Sequence, residues 1–115
     1  MALSARVPEP GFYYNHKHDS RGPVNDHAYE VIGLGFHTEK EEDSDEKHFV
    51  IYRPLYEAFV FKTSRELGVP CFDVRPLEMW TEDVMKDNVA VPRFQKITDT
   101  SVIAQLMEIR NKMYP

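Results

Sequence analysis

The sequence predicts a mainly β fold: a small antiparallel barrel of short, bent strands, with a short helical turn near Glu66 and one C-terminal α-helix. Three observations predict it. Two apolar β-type runs, Phe49-Val50-Ile51-Tyr52 and Cys71-Phe72-Asp73-Val74, are followed by the same tripeptide, Arg53-Pro54-Leu55 and Arg75-Pro76-Leu77. A residue before proline is driven into extended geometry and proline cannot donate to a ladder, so both strands are expected to stop at an arginine. A further β-type run carries Gly33 and Gly35, which permit a sharp coil or a bulge. Sustained helical periodicity begins only after Asp99.

In order along the chain, Pro8-Glu9-Pro10-Gly11 separates an N-terminal arm from a first strand, Phe12 to His16. Lys17 to His27 is polar, holds Arg21-Gly22-Pro23 and Asn25-Asp26, and reads as a long loop. The second strand runs from Ala28 to His37, with Tyr29, Val31, Gly33 and Gly35 expected on one face and Glu30, Ile32, Leu34 and Phe36 on the other. Glu39 to Lys47 holds six acidic residues and two lysines, and reads as the solvated tip of a hairpin leading to a third strand, His48 to Arg53.

Leu55 to Phe61 is aromatic and apolar, and reads as another strand or an edge segment. Thr63 to Gly68 is expected to form a turn or two of helix, with Ser64 as its cap and Gly68 as its stop. The fourth strand is Cys71 to Arg75, and Pro76 to Trp80 is expected to form a single turn with proline at its start. Val89 to Ile97 offers a last short strand, placed at an edge by Pro92. Asp99 or Thr100 then caps a helix with Val102, Ile103, Leu106, Met107 and Met113 on one side.

These elements divide the chain into an arm (1–10), a barrel (11–97) and an amphipathic helix (98–115). At 115 residues the chain is one domain's worth, and its 42% apolar and 29% charged residues are ordinary for a globular protein. Most of the formal charge of −5 sits in the acidic run, which leaves the body nearly neutral, with no basic stripe to signal nucleic-acid binding. A single cysteine, Cys71, allows no intramolecular disulfide, and neither a signal peptide nor a membrane span is apparent, so the cytoplasm is the expected compartment.

Several segments taken together resemble the family catalogued as domain of unknown function 1653. They are Tyr29-Glu30-Val31-Ile32-Gly33, His37-Thr38-Glu39, Val50-Ile51-Tyr52-Arg53-Pro54-Leu55-Tyr56, Val74-Arg75-Pro76-Leu77-Glu78-Met79-Trp80 and Val91-Pro92-Arg93-Phe94. The resemblance runs in order from about Gly11 to Ile97 and implies a barrel related to the SH3-like folds, with no known activity attached. The acidic loop, the residues between the two Arg-Pro-Leu tripeptides and the terminal helix depart from the family pattern.

The sequence singles out no reaction and no ligand. The reading it favours is a non-catalytic binding module whose Tyr52, Arg53, Tyr56, Arg75, Glu78 and Trp80 form one face for an acidic, peptide or nucleotide ligand. Arginine's planar fork suits carboxylate or phosphate, and aromatic rings offer stacking surfaces. Arg93 is a further candidate for the same face. The bland reading of these arginines is architectural, with Arg75 paired to Asp73, Glu78 or Glu30.

Two alternatives stand beside it: a hydrolase using His37 and Glu39 with Arg75 as a stabiliser of developing charge, and a structural adaptor dimerising through the terminal helix. His16-x-His18-Asp19, with His27 and His48 elsewhere, offers ligand types that zinc or nickel accepts, but neither Cys-x-x-Cys nor His-Glu-x-x-His is present and His18 sits at a loop edge, so neither metal nor cofactor is expected. Cys71 reads as a packing residue.

Overall fold

Strict alternation marks the centre of the sheet: in β3 (His48–Pro54), His48, Val50, Tyr52 and Pro54 are buried while the residues between them are partly exposed. The computed structural model describes residues 7–39 and 48–115; residues 1–6 of the expected arm, and the acidic tip beyond Glu39, lie outside them. β3 pairs with β2 (Ala28–Phe36) on one side and with β4 (Asp73–Pro76) on the other. β2 pairs with β1 (Gly11–Asn15), and β1 with β7 (Phe94–Lys96), giving the order β4-β3-β2-β1-β7 with every pairing antiparallel. The mainly β, antiparallel class is therefore the one the chain adopts.

The glycines of β2 mark the irregularity expected of them. Val31 pairs with Tyr52 but Gly33 pairs with Ile51, so Ile32 is the extra residue of a bulge. The bulge reverses the face of everything that follows, and Gly33 and Gly35 therefore do not share the face of Tyr29 and Val31. The expected grouping fails for that reason.

Three stretches fold differently from expectation. Leu55 to Phe61 is no strand: Leu55 is fully buried beyond β3, and α1 (Phe59–Leu67) starts at Phe59, anchored by buried Phe61. Ser64 consequently lies inside this helix and caps nothing at its start, whereas Gly68, at φ +68°, ends it by returning its N–H to the Ser64 carbonyl. β4 begins at Asp73, two residues later than expected, and α2 (Leu77–Thr81) follows with Leu77 and Trp80 buried one turn apart. The run from Val89 belongs to two strands: β6 (Val89–Pro92) forms a hairpin with β5 (Asp83–Lys86), and β7 starts after Arg93. Asp87 and Asn88, at φ +52° and +66°, make the tight turn of that hairpin.

The sheet buries both of its faces. On one, Tyr13, Val31, Val50 and Tyr52 pack with Leu77 and Trp80 of α2 and with Phe94. On the other, Phe12, Ala28, Leu55 and Ile97 receive α3 (Thr100–Met113) through Leu106, with Val102, Ile103 and Ile109 alongside. Met107, expected on this apolar side, faces solvent, and Ile109 takes the place expected of it. Asp99 caps α3 by accepting from the backbone N–H groups of Ser101 and Val102. Among the described residues no helix is long and apolar enough to cross a membrane.

Candidate binding face around Arg75

Antiparallel pairing sends the two Arg-Pro-Leu tripeptides apart. Arg75 lies across the ladder from Val50, and Arg53 is three residues further along β3, a separation of about 10 Å along the strand. Three residues is an odd number, so the two side chains also project from opposite faces. Arg53 and Arg75 therefore do not share a concavity, and the face expected from them divides in two.

Arg53 is enclosed. Its Nε donates to Glu30 Oε1 at 2.9 Å and its Nη2 lies 2.9 Å from the same oxygen, Arg110 of α3 approaches the same carboxylate at 3.4 Å, and the guanidinium lies over the Tyr114 ring at 3.9 Å. Glu30 pairs with Arg53 across the β2–β3 ladder, so the contact is a directly opposed cross-strand pair. Tyr114 donates to the Pro54 carbonyl at 2.6 Å, and burial pushes its hydroxyl up to about 12. This network fastens the end of α3 to the sheet. The architectural reading is the one Arg53 satisfies.

Arg75 stands on the other face with Tyr52 and Phe94. Its Nε donates to the Tyr52 hydroxyl at 3.3 Å, and its guanidinium lies 5.4 Å from the centre of the Phe94 ring. Among the described residues it has no carboxylate within ion-pairing distance, although the field of Arg75 acts on Asp73. Burial raises the Asp73 carboxyl above its ordinary range, and Arg75 offsets only part of that rise. Tyr52 is held above the ordinary phenol range mainly by burial, with the Arg75 contact acting in the opposite sense.

The remaining expected residues have separate positions. Tyr56 is partly exposed, with its hydroxyl against that of Tyr29, and burial drives the Tyr29 hydroxyl well above its ordinary value. Trp80 is only 3% exposed and its indole is stacked on Phe94, so it forms the floor of this face and offers no open stacking surface. Glu78 is exposed on α2, and no ion pair joins it to Arg75. Arg93 pairs with Glu82 at the entry to β7.

Sequence reasoning missed Tyr29 and Phe94 as parts of this face and named Asp73 only as an ion-pair partner of Arg75. Their signal was available in period-two alternation once the register was known: Asp73 and Arg75 share a face of β4, and Tyr52 stands opposite Asp73.

The alternative constellations are dispersed. His37 and Glu39 touch through the Glu39 backbone N–H, which donates to the imidazole Nδ1 at 3.1 Å, and both residues are exposed. His37 lines an apolar groove of about 290 Å³ with Gly35, Phe49, Ile51 and Val74, on the face of the sheet opposite Arg75. His18 stacks on Tyr14 and meets the Asp26 carbonyl at 2.7 Å, while His27 meets the Asp26 carboxylate at 2.9 Å. Among the described residues no three His, Cys, Asp or Glu side chains cluster in a way that would hold a metal. Cys71 is partly buried and its thiol faces the Val69 carbonyl at 3.4 Å. The apolar side of α3 is spent on its own sheet.

Comparison with known proteins agrees with the sequence motifs. The family model described as protein of unknown function (DUF1653) matches residues 14–96. A crystal structure of a DUF1653 protein from Bordetella bronchiseptica is similar at 27% identity and a TM-score of 0.52, over 78% of this chain and 87% of that one. No curated protein matches. The chain belongs to the DUF1653 family.

Proposed function

We propose that this DUF1653 member is a non-catalytic binding module that holds an acidic ligand on the face centred on Arg75. The observation that carries this reading is the difference between the three candidate arginines. Arg53 is tied to Glu30 and Arg93 to Glu82, whereas Arg75 has no carboxylate partner among the described residues. The Tyr52 hydroxyl fixes its Nε, which leaves the Nη groups to meet an anion from outside. A guanidinium orientated beforehand loses less freedom on binding, and its planar fork matches a carboxylate or phosphate in two parallel hydrogen bonds. Tyr56, with the aromatic floor beneath, gives such a ligand a partly apolar boundary.

The test is an NMR titration of the isotope-labelled full chain with inorganic phosphate, a nucleoside monophosphate and a short glutamate-containing peptide. Saturable shifts centred on the Arg75 Nε–H, Tyr52 and Tyr56 are expected, and they should vanish in Arg75→Gln. Shifts elsewhere, or binding that survives Arg75→Gln unchanged, would overturn the reading.

A further inference from the structure

Arg75 belongs to the last strand of the sheet, and that position says more about what it meets. β4 pairs with β3 on one side only, and among the described residues no turn, loop or cap hydrogen bond takes up the backbone of residues 72–75. In an antiparallel ladder, alternate residues of an edge strand turn their N–H and C=O groups away from the neighbour, where they template a further strand. The side chains bordering this edge are accessible: Val74 is 58% exposed and Phe72 40% exposed.

We infer that the acidic ligand is an extended peptide segment that adds antiparallel to β4 as a further strand; this rests on the Arg75 reading above. Period two gives β4 two different faces. Asp73 and Arg75 point to the aromatic side, while Val74 points to the other and borders the apolar groove with Phe49 and Ile51. Neither Asp73 nor Arg75 makes an ion pair with another described residue, so the edge presents an acid and a base two residues apart that act on each other only through their fields. An antiparallel strand matched to this edge carries an acidic residue opposite Arg75, an apolar one opposite Val74 and a basic one opposite Asp73. Charge complementarity sets the register and direction of the added strand, and the groove takes its apolar side chain. Pro76 has no N–H to give, so the added strand engages β4 before that point.

The experiment uses the labelled full chain and the capped peptide acetyl-Thr-Val-Glu-Val-Lys-Val-Thr-amide. Two further versions carry N-methyl groups on alternate residues, one on the odd set and one on the even. The parent peptide is expected to shift the amides of residues 72–75 and to slow the exchange of at least one of them. One methylated version should bind at least tenfold more weakly and the other nearly as well as the parent, because only one set of N–H groups faces β4. Any other pattern among the two overturns strand addition.

Exchanging Glu and Lys in the peptide should weaken binding, and the chain carrying Asp73→Lys with Arg75→Glu should recover it. If phosphate binds at Arg75 while the peptide does not, the anion site stands and strand addition falls. If no probe shifts Arg75 at all, both fall. A dimer protected at the same amides in the absence of peptide would replace the peptide by a second copy of this chain, whose own Asp73-Val74-Arg75 edge has the complementary pattern.

Discussion

The Trp80 indole and the Phe94 ring stack with centroids 3.7 Å apart and planes inclined by 2°. Trp80 follows β4 at one end of the hydrogen-bonded order and Phe94 lies in β7 at the other, so aromatic packing joins the two ends where no ladder is shared. Tyr52 packs edge-on against both rings.

Removing either ring should therefore do more than leave a hole. Trp80→Ala and Phe94→Ala are each expected to cost about 3–5 kcal/mol, and Trp80→Phe distinctly less. Urea denaturation checks this. Costs below about 1 kcal/mol for both alanine variants would show that the stack does not join the sheet's ends.

Glu30 and Arg53 are each 14% exposed, so removing one leaves the other enclosed without its counter-charge. Glu30→Ala should cost about 3–5 kcal/mol, whereas Arg110→Ala, at the more exposed arm of the network, should cost under about 1 kcal/mol. Chemical denaturation of both variants reads the difference. Arg53→Ala should also leave ligand-induced shifts at Arg75 in place, which separates the supporting arginine from the one proposed to bind.

Asp73 gives the face a pH dependence. Its carboxyl is raised by burial, so the folded chain holds this proton to higher pH than the unfolded chain does. Between the two values the native state binds more protons and stability falls as pH rises; the penalty is absent below the unfolded carboxylate range and complete above the folded value. Asp73→Asn should accordingly raise the thermal midpoint at pH 7, with the gain shrinking towards pH 3. A gain that is the same at both pH values would show that ionisation is not its source.

The Asp87-Asn88 turn requires positive φ at both residues. Asn88→Gly should leave stability unchanged or slightly higher, and Asn88→Val should cost about 1–2 kcal/mol, since a β-branched side chain fits the left-handed region poorly. Equal midpoints for the two variants in urea would remove the argument.

Local chemistry made much of the architecture readable before any coordinates. β3 and β4 end at the tripeptides, each running one residue past the arginine expected to close it and pairing through its proline; the glycines of β2 marked its bulge, Gly68 stopped α1 and Asp99 started α3. Each is a short-range effect of one residue on its own backbone. The same short range explains the misses. Phe61 of the helix Phe59 to Leu67 is buried against the Tyr114 ring from the far end of the chain, a contact no local pattern announces, and the β5–β6 hairpin was hidden in a stretch whose turn residues are less telling than Asn-Gly.

The candidate face was legible as a set of residue types and illegible as a place. Arg53-Pro54-Leu55 and Arg75-Pro76-Leu77 are identical as strings, and nothing local distinguishes the two guanidinium groups. Antiparallel neighbours and an odd-numbered offset sent one to Glu30 beneath α3 and the other to Tyr52 and Phe94. Backbone conformation is set by a residue and its immediate neighbours, so the sequence carries it openly. The partner of a side chain depends on strand register and direction, which are fixed only when the separate segments pack against one another.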